Sequence, residues 1–259
     1  MASSPMETTE SLSARATRID DLQQRLQSFR FVDLSPAIEN GIPRWTTHPP
    51  LVVNQTVNFQ HDDYYCQTIF MAEHTGVHVD APAHTVAAMS DHTVDTIAVE
   101  TLFAPAAVFD LRTYGIGPGE LATAAMLEEL DQHADVPLTA GDIALLNFGW
   151  HERYWSTGKE WRFYSENSPG LAEDAVAWLA GRRPVAVGSD TVSVDIALRD
   201  GIRTDPISYA HDVLLLPKSI YLIECLANLG TLPPRCFFIA IPLKIKGGSG
   251  SPIRAVALV

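Results

Sequence analysis

The chain has 259 residues, 46% of them hydrophobic and 19% charged, the balance of a folded globular protein rather than a disordered one. Asp and Glu number 31 against 18 Lys and Arg, and the resulting formal charge of −13 repels phosphate backbones and argues against a nucleic-acid partner. No apolar run reaches the roughly 18–20 residues of a membrane helix, MASSPMETTESLSARATR contains no apolar signal core, and Cys66, Cys225 and Cys236 show no C-x-x-C spacing, so a reduced, cytoplasmic protein off the membrane is expected.

Residues 1–16, rich in Ser, Thr, Ala and Glu, read as a mobile lead-in. Ile19, Leu22, Leu26 and Phe29 then fall at helical spacing and predict a short amphipathic helix over 19–29. FVDLSPAI (31–38) reads as a strand ending in a proline turn, and further strands are expected at 55–59, 67–72 and 104–111. A helix is predicted over 123–134 with Thr123 as N-cap, and a second over 168–182 closed by Gly181. Between and after them lie apolar strands at 142–150, 184–190, 235–243 and 253–259.

Several of these strands are almost wholly apolar, which implies burial on both faces beneath covering helices. The pattern is that of an α/β protein. No linker, repeat or low-complexity segment divides it, so an N-terminal extension (1–30) followed by one domain (31–259) is expected.

HTGVHVDAPAH (74–84) concentrates three histidines and an aspartate around a glycine and a proline. In an extended strand His74, His78 and Asp80 would share a face, yet His74 and His78 would stand roughly 13 Å apart. Ligands of one metal sit only about 2.0–2.2 Å from it, so a straight strand fails. A helix would pair His74 with His78, but Thr75, Val77 and Val79 are β-branched, Gly76 interrupts and Pro82 follows. A tightly bent loop remains, with Gly76 supplying the backbone angles and Pro82 setting the exit. Such a loop can aim two imidazoles and a carboxylate at one point, a mixed N/O donor set that suits zinc or manganese better than calcium or magnesium. The alternative is three unrelated, hydrogen-bonded surface histidines.

The segment resembles the H-T-G-T-H-x-D-x-P-x-H signature of the metal-dependent cyclase superfamily, which includes kynurenine formamidases and isatin hydrolases, with Val77 where Thr is usual. DLSPAIENGIPRW (33–45), GDIALLNFGW (141–150), HDVLLLPKSIYLIECLANL (211–229) and PLKIKGGSGSPIRAVALV (242–259) are similar to other blocks of the same family. The resemblance implies a single cyclase-like domain, a mixed or barrel-like β core flanked by helices in the swivelling β/β/α arrangement. It implies His74, His78 and Asp80 as ligands of a first metal, His84 as general acid/base, and His211 and Glu224 as the remaining ligands in two-metal relatives. Isatin hydrolases look mononuclear and lack the glutamate, so one ion or two, Mn2+ or Zn2+, is the expectation.

Read without the family, Glu224 is a carboxylate at the edge of a buried strand or helix, satisfied by hydrogen bonds and, flanked by Ile223 and Leu226, costly to bury unpaired, and His211 is a cap after Tyr209. Trp45, with Phe59 or Trp150, is expected to form a flat wall for an aromatic or cyclic substrate. Asp190 and Asp195 in GSDTVSVD are expected to support the site rather than to act, and His48, His61, His92, His133 and His151 read mostly as surface histidines.

These residues together imply a metal-dependent amidohydrolase acting on a small aromatic or cyclic C–N substrate by metal-activated water, with His84 moving the proton. Lactone hydrolysis or a cyclase reaction at the same site is the nearest alternative, and a non-catalytic metal-binding protein the next. A serine nucleophile is disfavoured because GGSGS (247–251) lacks the G-x-S-x-G elbow. Family resemblance further implies a homodimer or tetramer.

Overall fold

The computed structural model describes residues 12–259. Its centre is a nine-stranded mixed sheet. In chain order the strands are β1 (Phe31–Asp33), β2 (His78–Asp80), β3 (Phe103–Asp110), β4 (Ile143–Asn147), β5 (Ala186–Ser189), β6 (Tyr221–Glu224), β7 (Arg235–Ile239), β8 (Gly250–Pro252) and β9 (Val256–Leu258). They lie side by side as β1-β9-β7-β3-β4-β5-β6-β2-β8. The four central strands, β3 to β6, run parallel, and antiparallel strands extend the sheet on both sides.

Two buried clusters lie on the two faces. Ala144, Leu146, Val187 and Leu222 pack under the helices α2 (Ala124–Gln132) and α3 (Glu173–Arg182), against Leu127, Val176 and Leu179. Ile143, Leu145 and Ile223, one residue out of phase, meet Val32, Val79, Phe238 and Ala257. The second face is therefore covered by the sheet curling onto its own edge strands, and not by helices as the apolar strand pattern had implied. Burial on both sides explains why β4 and β5 carry no polar alternation.

Several boundaries differ from expectation for local reasons. The first helix runs Leu12–Gln27, earlier at both ends than 19–29, and residues 1–11 of the expected lead-in lie outside the described residues. The strand at 31–38 stops at Asp33, ahead of Pro36. The strands expected at 55–59 and 67–72 form a separate hairpin, Val52–Val57 with Cys66–Phe70, and Phe59 opens a one-turn helix at its tip. Thr123 precedes α2 in extended conformation but makes no side-chain cap bond. Residues 168–172 are not helical: Gly170–Leu171 pair with Leu121–Ala122, so α3 begins at Glu173. Its close is made by Arg183, at φ 56° in the left-handed region, rather than by Gly181. The strand at 142–150 ends at Asn147, and Trp150 opens a short helix.

Candidate metal centre

The 74–84 stretch is three local structures in series. Gly76, at φ +64°, bends the chain after His74. His78-Val79-Asp80 then form β2, and Pro82–His84 make a 3-10 turn. The expectation of a loop throughout is thus corrected: the bend is confined to 74–77, and a strand carries two of the polar residues. Strand parity explains the division. Val79 enters the enclosed core, while His78 and Asp80 face the helix side of the sheet, as does Leu222, the β6 partner of Asp80.

On β6, Glu224 pairs directly with His78, so the two side chains share that face. His211 arrives from a π-helical turn, Tyr209–Leu214, and Thr85 Oγ1 donates to its carbonyl at 2.8 Å, tying this turn to the one that carries His84. After Glu224 the chain turns through Cys225, at φ 62°, a left-handed angle uncommon for any residue but glycine and held by its N–H bond to Thr191 O.

Two groups of donors result, and Asp80 belongs to both. His74, His78 and Asp80 offer atoms within 4.8 Å of one another, and so do Asp80, His211 and Glu224. His74 Nδ1 lies 2.6 Å from Asp80 Oδ1, and His78 Nε2 lies 3.5 Å from the same oxygen and 3.4 Å from Glu224 Oε2. His211 Nε2 lies 3.5 Å from Asp80 Oδ2 and 3.4 Å from Glu224 Oε1. The outer nitrogens are already engaged: His78 Nδ1 with Gly76 O at 2.9 Å, and His211 Nδ1 with Asp195 Oδ1 at 2.7 Å. Those contacts turn each Nε2 inward, where loss of its proton would make it a ligand, the arrangement metal-binding histidines use.

The donors fit a divalent cation. Asp80 is 1% exposed and its Oδ2 is buried without a hydrogen-bond partner, a state costly to maintain unless a cation takes the oxygen. Three imidazoles and two carboxylates form a mixed N/O set of the kind that manganese and zinc accept. Burial alone would discharge these groups. For His78 burial is outweighed by Glu224 and Asp80, which raise its pKa to about 9, and for Glu224 burial and Asp80 are outweighed by hydrogen bonds from His211 and His78, which lower it.

His84 stands beside both groups, its ring centroid 4.0 Å from that of His74 and 6.1 Å from that of His211. Burial lowers its pKa to about 4, so it is neutral at ordinary pH and able to accept a proton. Trp45 lines the same cavity, about 190 Å3 in volume. Phe59 and Trp150 do not: Phe59 is exposed on the hairpin, and Trp150 is fully buried with its Nε1 donating to Tyr164 O.

Two histidines read as surface residues are not. His48 lines the cavity beside the two donor groups, its ring 5.8 Å from that of His74, and His151 is held in a second pocket with Nε2 buried. His61, His92 and His133 are exposed. Asp190 accepts backbone N–H bonds from Phe148, Trp150 and His151, a structural role, and Asp195 orients His211. Gly250 lies in the family-like block 242–259 but has no chemistry of its own to mark it as a site residue, and no local pattern around Arg203 points to the pocket.

Comparison with known proteins agrees with this geometry. The family described as Putative cyclase matches residues 32–196. Isatin hydrolase of Roseibium aggregatum is 34% identical over 199 residues, 73% of each chain, and kynurenine formamidase of Salinibacter ruber is 25% identical over 229 residues, 87% of this chain and 95% of that protein. The crystal structure of an isatin hydrolase bound to the product analogue thioisatinate superposes with a TM-score of 0.82 at 28% identity, covering 96% of this chain and 99% of that one. With a matching family signature over well over half its length and the fold shared end to end, this chain belongs to the cyclase family.

Proposed function

We propose that the protein is a metal-dependent amidohydrolase that opens a cyclic amide or cleaves an aryl formamide, with His74, His78, Asp80, His211 and Glu224 holding one or two ions, manganese or zinc, and His84 moving the proton. The enzyme class is that of its relatives, which are hydrolases of amide-type bonds. The observation that carries the reading is Asp80, a single buried carboxylate shared by two donor groups with one oxygen unsatisfied, next to a neutral imidazole.

When bound, the ion supplies Lewis acidity for the substrate carbonyl and lowers the pKa of water. The chain's own residues do the rest. Asp195 and the Gly76 carbonyl fix the tautomers of His211 and His78. His84 accepts the proton of the attacking water at a ring nitrogen that has no hydrogen-bond partner among the described residues, and returns it to the leaving nitrogen. Trp45 gives the cavity a flat apolar wall suited to a planar substrate.

A homo-oligomer in the cytoplasm is part of the same proposal. Phe59, Tyr64, Tyr65, Ile69 and Phe70 are all exposed on one hairpin, an apolar surface that a second copy would cover, and all three thiols are unpaired.

The test is metal analysis of the purified protein with turnover of isatin, an aryl formamide and small lactones. His84→Gln should keep its metal while turnover falls about 10²–10⁴-fold. Loss of metal in that variant would make His84 a ligand, and undiminished turnover would remove it from the mechanism.

A further inference from the structure

Arg44 and Arg203 line the same cavity as His74, His78, His84 and His211. Elsewhere in the chain Arg112, Arg162, Arg182, Arg235 and Arg254 each form an ion pair with a carboxylate. No carboxylate of the described residues pairs with Arg44 or Arg203. Asp212 also lines the cavity and pairs with neither.

Both guanidiniums are nevertheless positioned, by neutral groups. Arg44 Nε donates to the His48 carbonyl at 3.1 Å, and its guanidinium stacks on Trp161, 4.1 Å from the ring centroid. Arg203 Nη1 donates to Ser208 Oγ at 3.0 Å, from the short strand Ile202–Arg203. The Nη groups of Arg44, and Nη2 and Nε of Arg203, have no protein acceptor among the described residues. Two held, permanently charged guanidiniums with free donors, Arg44 half-buried and Arg203 exposed, thus border a cavity that an ion pair would have neutralised.

We propose that Arg44 and Arg203 form a carboxylate-recognition subsite, and that the preferred substrate is an amide carrying a carboxylate group. This rests on the amidohydrolase reading above. A guanidinium fork matches a carboxylate in geometry as well as charge. The surrounding protein, at −13, repels anions, so an anionic substrate needs a locally positive entry, and these two side chains supply it.

The experiment compares 2-formamidobenzoate with its methyl ester on the metal-loaded enzyme, using wild type, Arg44→Gln and Arg203→Gln. Wild type should prefer the acid by about tenfold or more in kcat/KM, the value of a charge-assisted hydrogen bond. Each variant should raise KM for the acid by a similar factor, leave kcat within a few-fold, and leave the ester unaffected. Equal use of acid and ester by wild type, or equal loss of both in the variants, overturns the subsite. Thermal melts check folding, and Arg44→Lys, which keeps the charge but not the fork, replaces Arg44→Gln if that variant does not fold.

If no amide, isatin included, is hydrolysed, the amidohydrolase reading fails on its own. Benzoate binding by calorimetry, with benzamide as the neutral control, then judges the subsite. Saturable benzoate binding lost in both variants supports it, and absent binding or binding that persists in both overturns it.

Discussion

The imidazole of His74 packs directly on Gly250, so closely that a Cβ at residue 250 would overlap the ring. Gly250 lies opposite Asp80 in the β8–β2 pairing, and its φ is not in the left-handed region, so the glycine serves close approach rather than a turn. Gly250→Ala should therefore push His74 out of place and lower metal affinity by about tenfold or more, as loss of ligand support does elsewhere. Titration of the metal-free protein with Mn2+ and Zn2+ measures this. Wild-type affinity in the alanine variant would mean that His74 is not a ligand.

Asp195 accepts from His211 Nδ1 at 2.7 Å and from the Ala210 N–H at 2.6 Å, so one carboxylate fixes both the ring and the turn that carries it. Asp195→Asn keeps the shape but presents an amide whose NH2 cannot accept. Metal affinity should fall about 10–100-fold with the fold retained. An unchanged affinity alongside a lowered melting temperature would assign Asp195 to stability alone.

Metal removal should destabilise the protein, because a bound ion would take up the buried Asp80 Oδ2, which no hydrogen bond satisfies. At a metal concentration 100-fold above Kd the stabilisation is about 2.7 kcal/mol, or roughly 5–10 °C in a domain of this size. Melts with and without chelator, followed by readdition of metal, measure it. Identical melting curves would contradict a resident cation.

His151 sets an acid limit to stability. Burial lowers its pKa to about 4; its Nε2 is buried without a partner and its ring stacks on Trp155 at 4.8 Å. The unfolded value is about 6.5, so the folded state prefers neutral imidazole. The stability this contributes is present above pH 6.5 and is lost as pH falls towards 4. His151→Phe, which keeps the stack, should lose less stability than wild type between pH 7 and 4.5, by on the order of 1–3 kcal/mol. Urea denaturation at the two pH values gives the difference, and equal losses would show that His151 does not titrate in this range.

Much of the framework was legible locally. The apolar runs at 142–150 and 184–190 mark two central parallel strands because burial on both faces leaves no polar alternation to read, and the run at 104–111 marks a third that is only partly buried. Where sequence reading went astray, the deciding contact was remote. Residues 168–172 lead without a break into the apolar helical pattern of 173–182, yet Gly170–Leu171 pair with Leu121–Ala122. Trp150 sits in an apolar run like a pocket residue, but its indole is drawn into the core by Tyr164 O.

The same division holds at the site. HTGVHVDAPAH by itself determined that a bend at Gly76 is required, since donors at this spacing cannot converge along a straight strand, whereas the strand that sets His78 and Asp80 on one face emerged only in the structure. Only the tertiary structure decided what stands opposite them. The antiparallel register of β6 on β2 sets Glu224 against His78, the π-helical turn delivers His211, and the sheet edge brings Gly250 under His74. These partners lie more than 120 residues away along the chain, and their meeting depends on strand order and register, which no local pattern encodes.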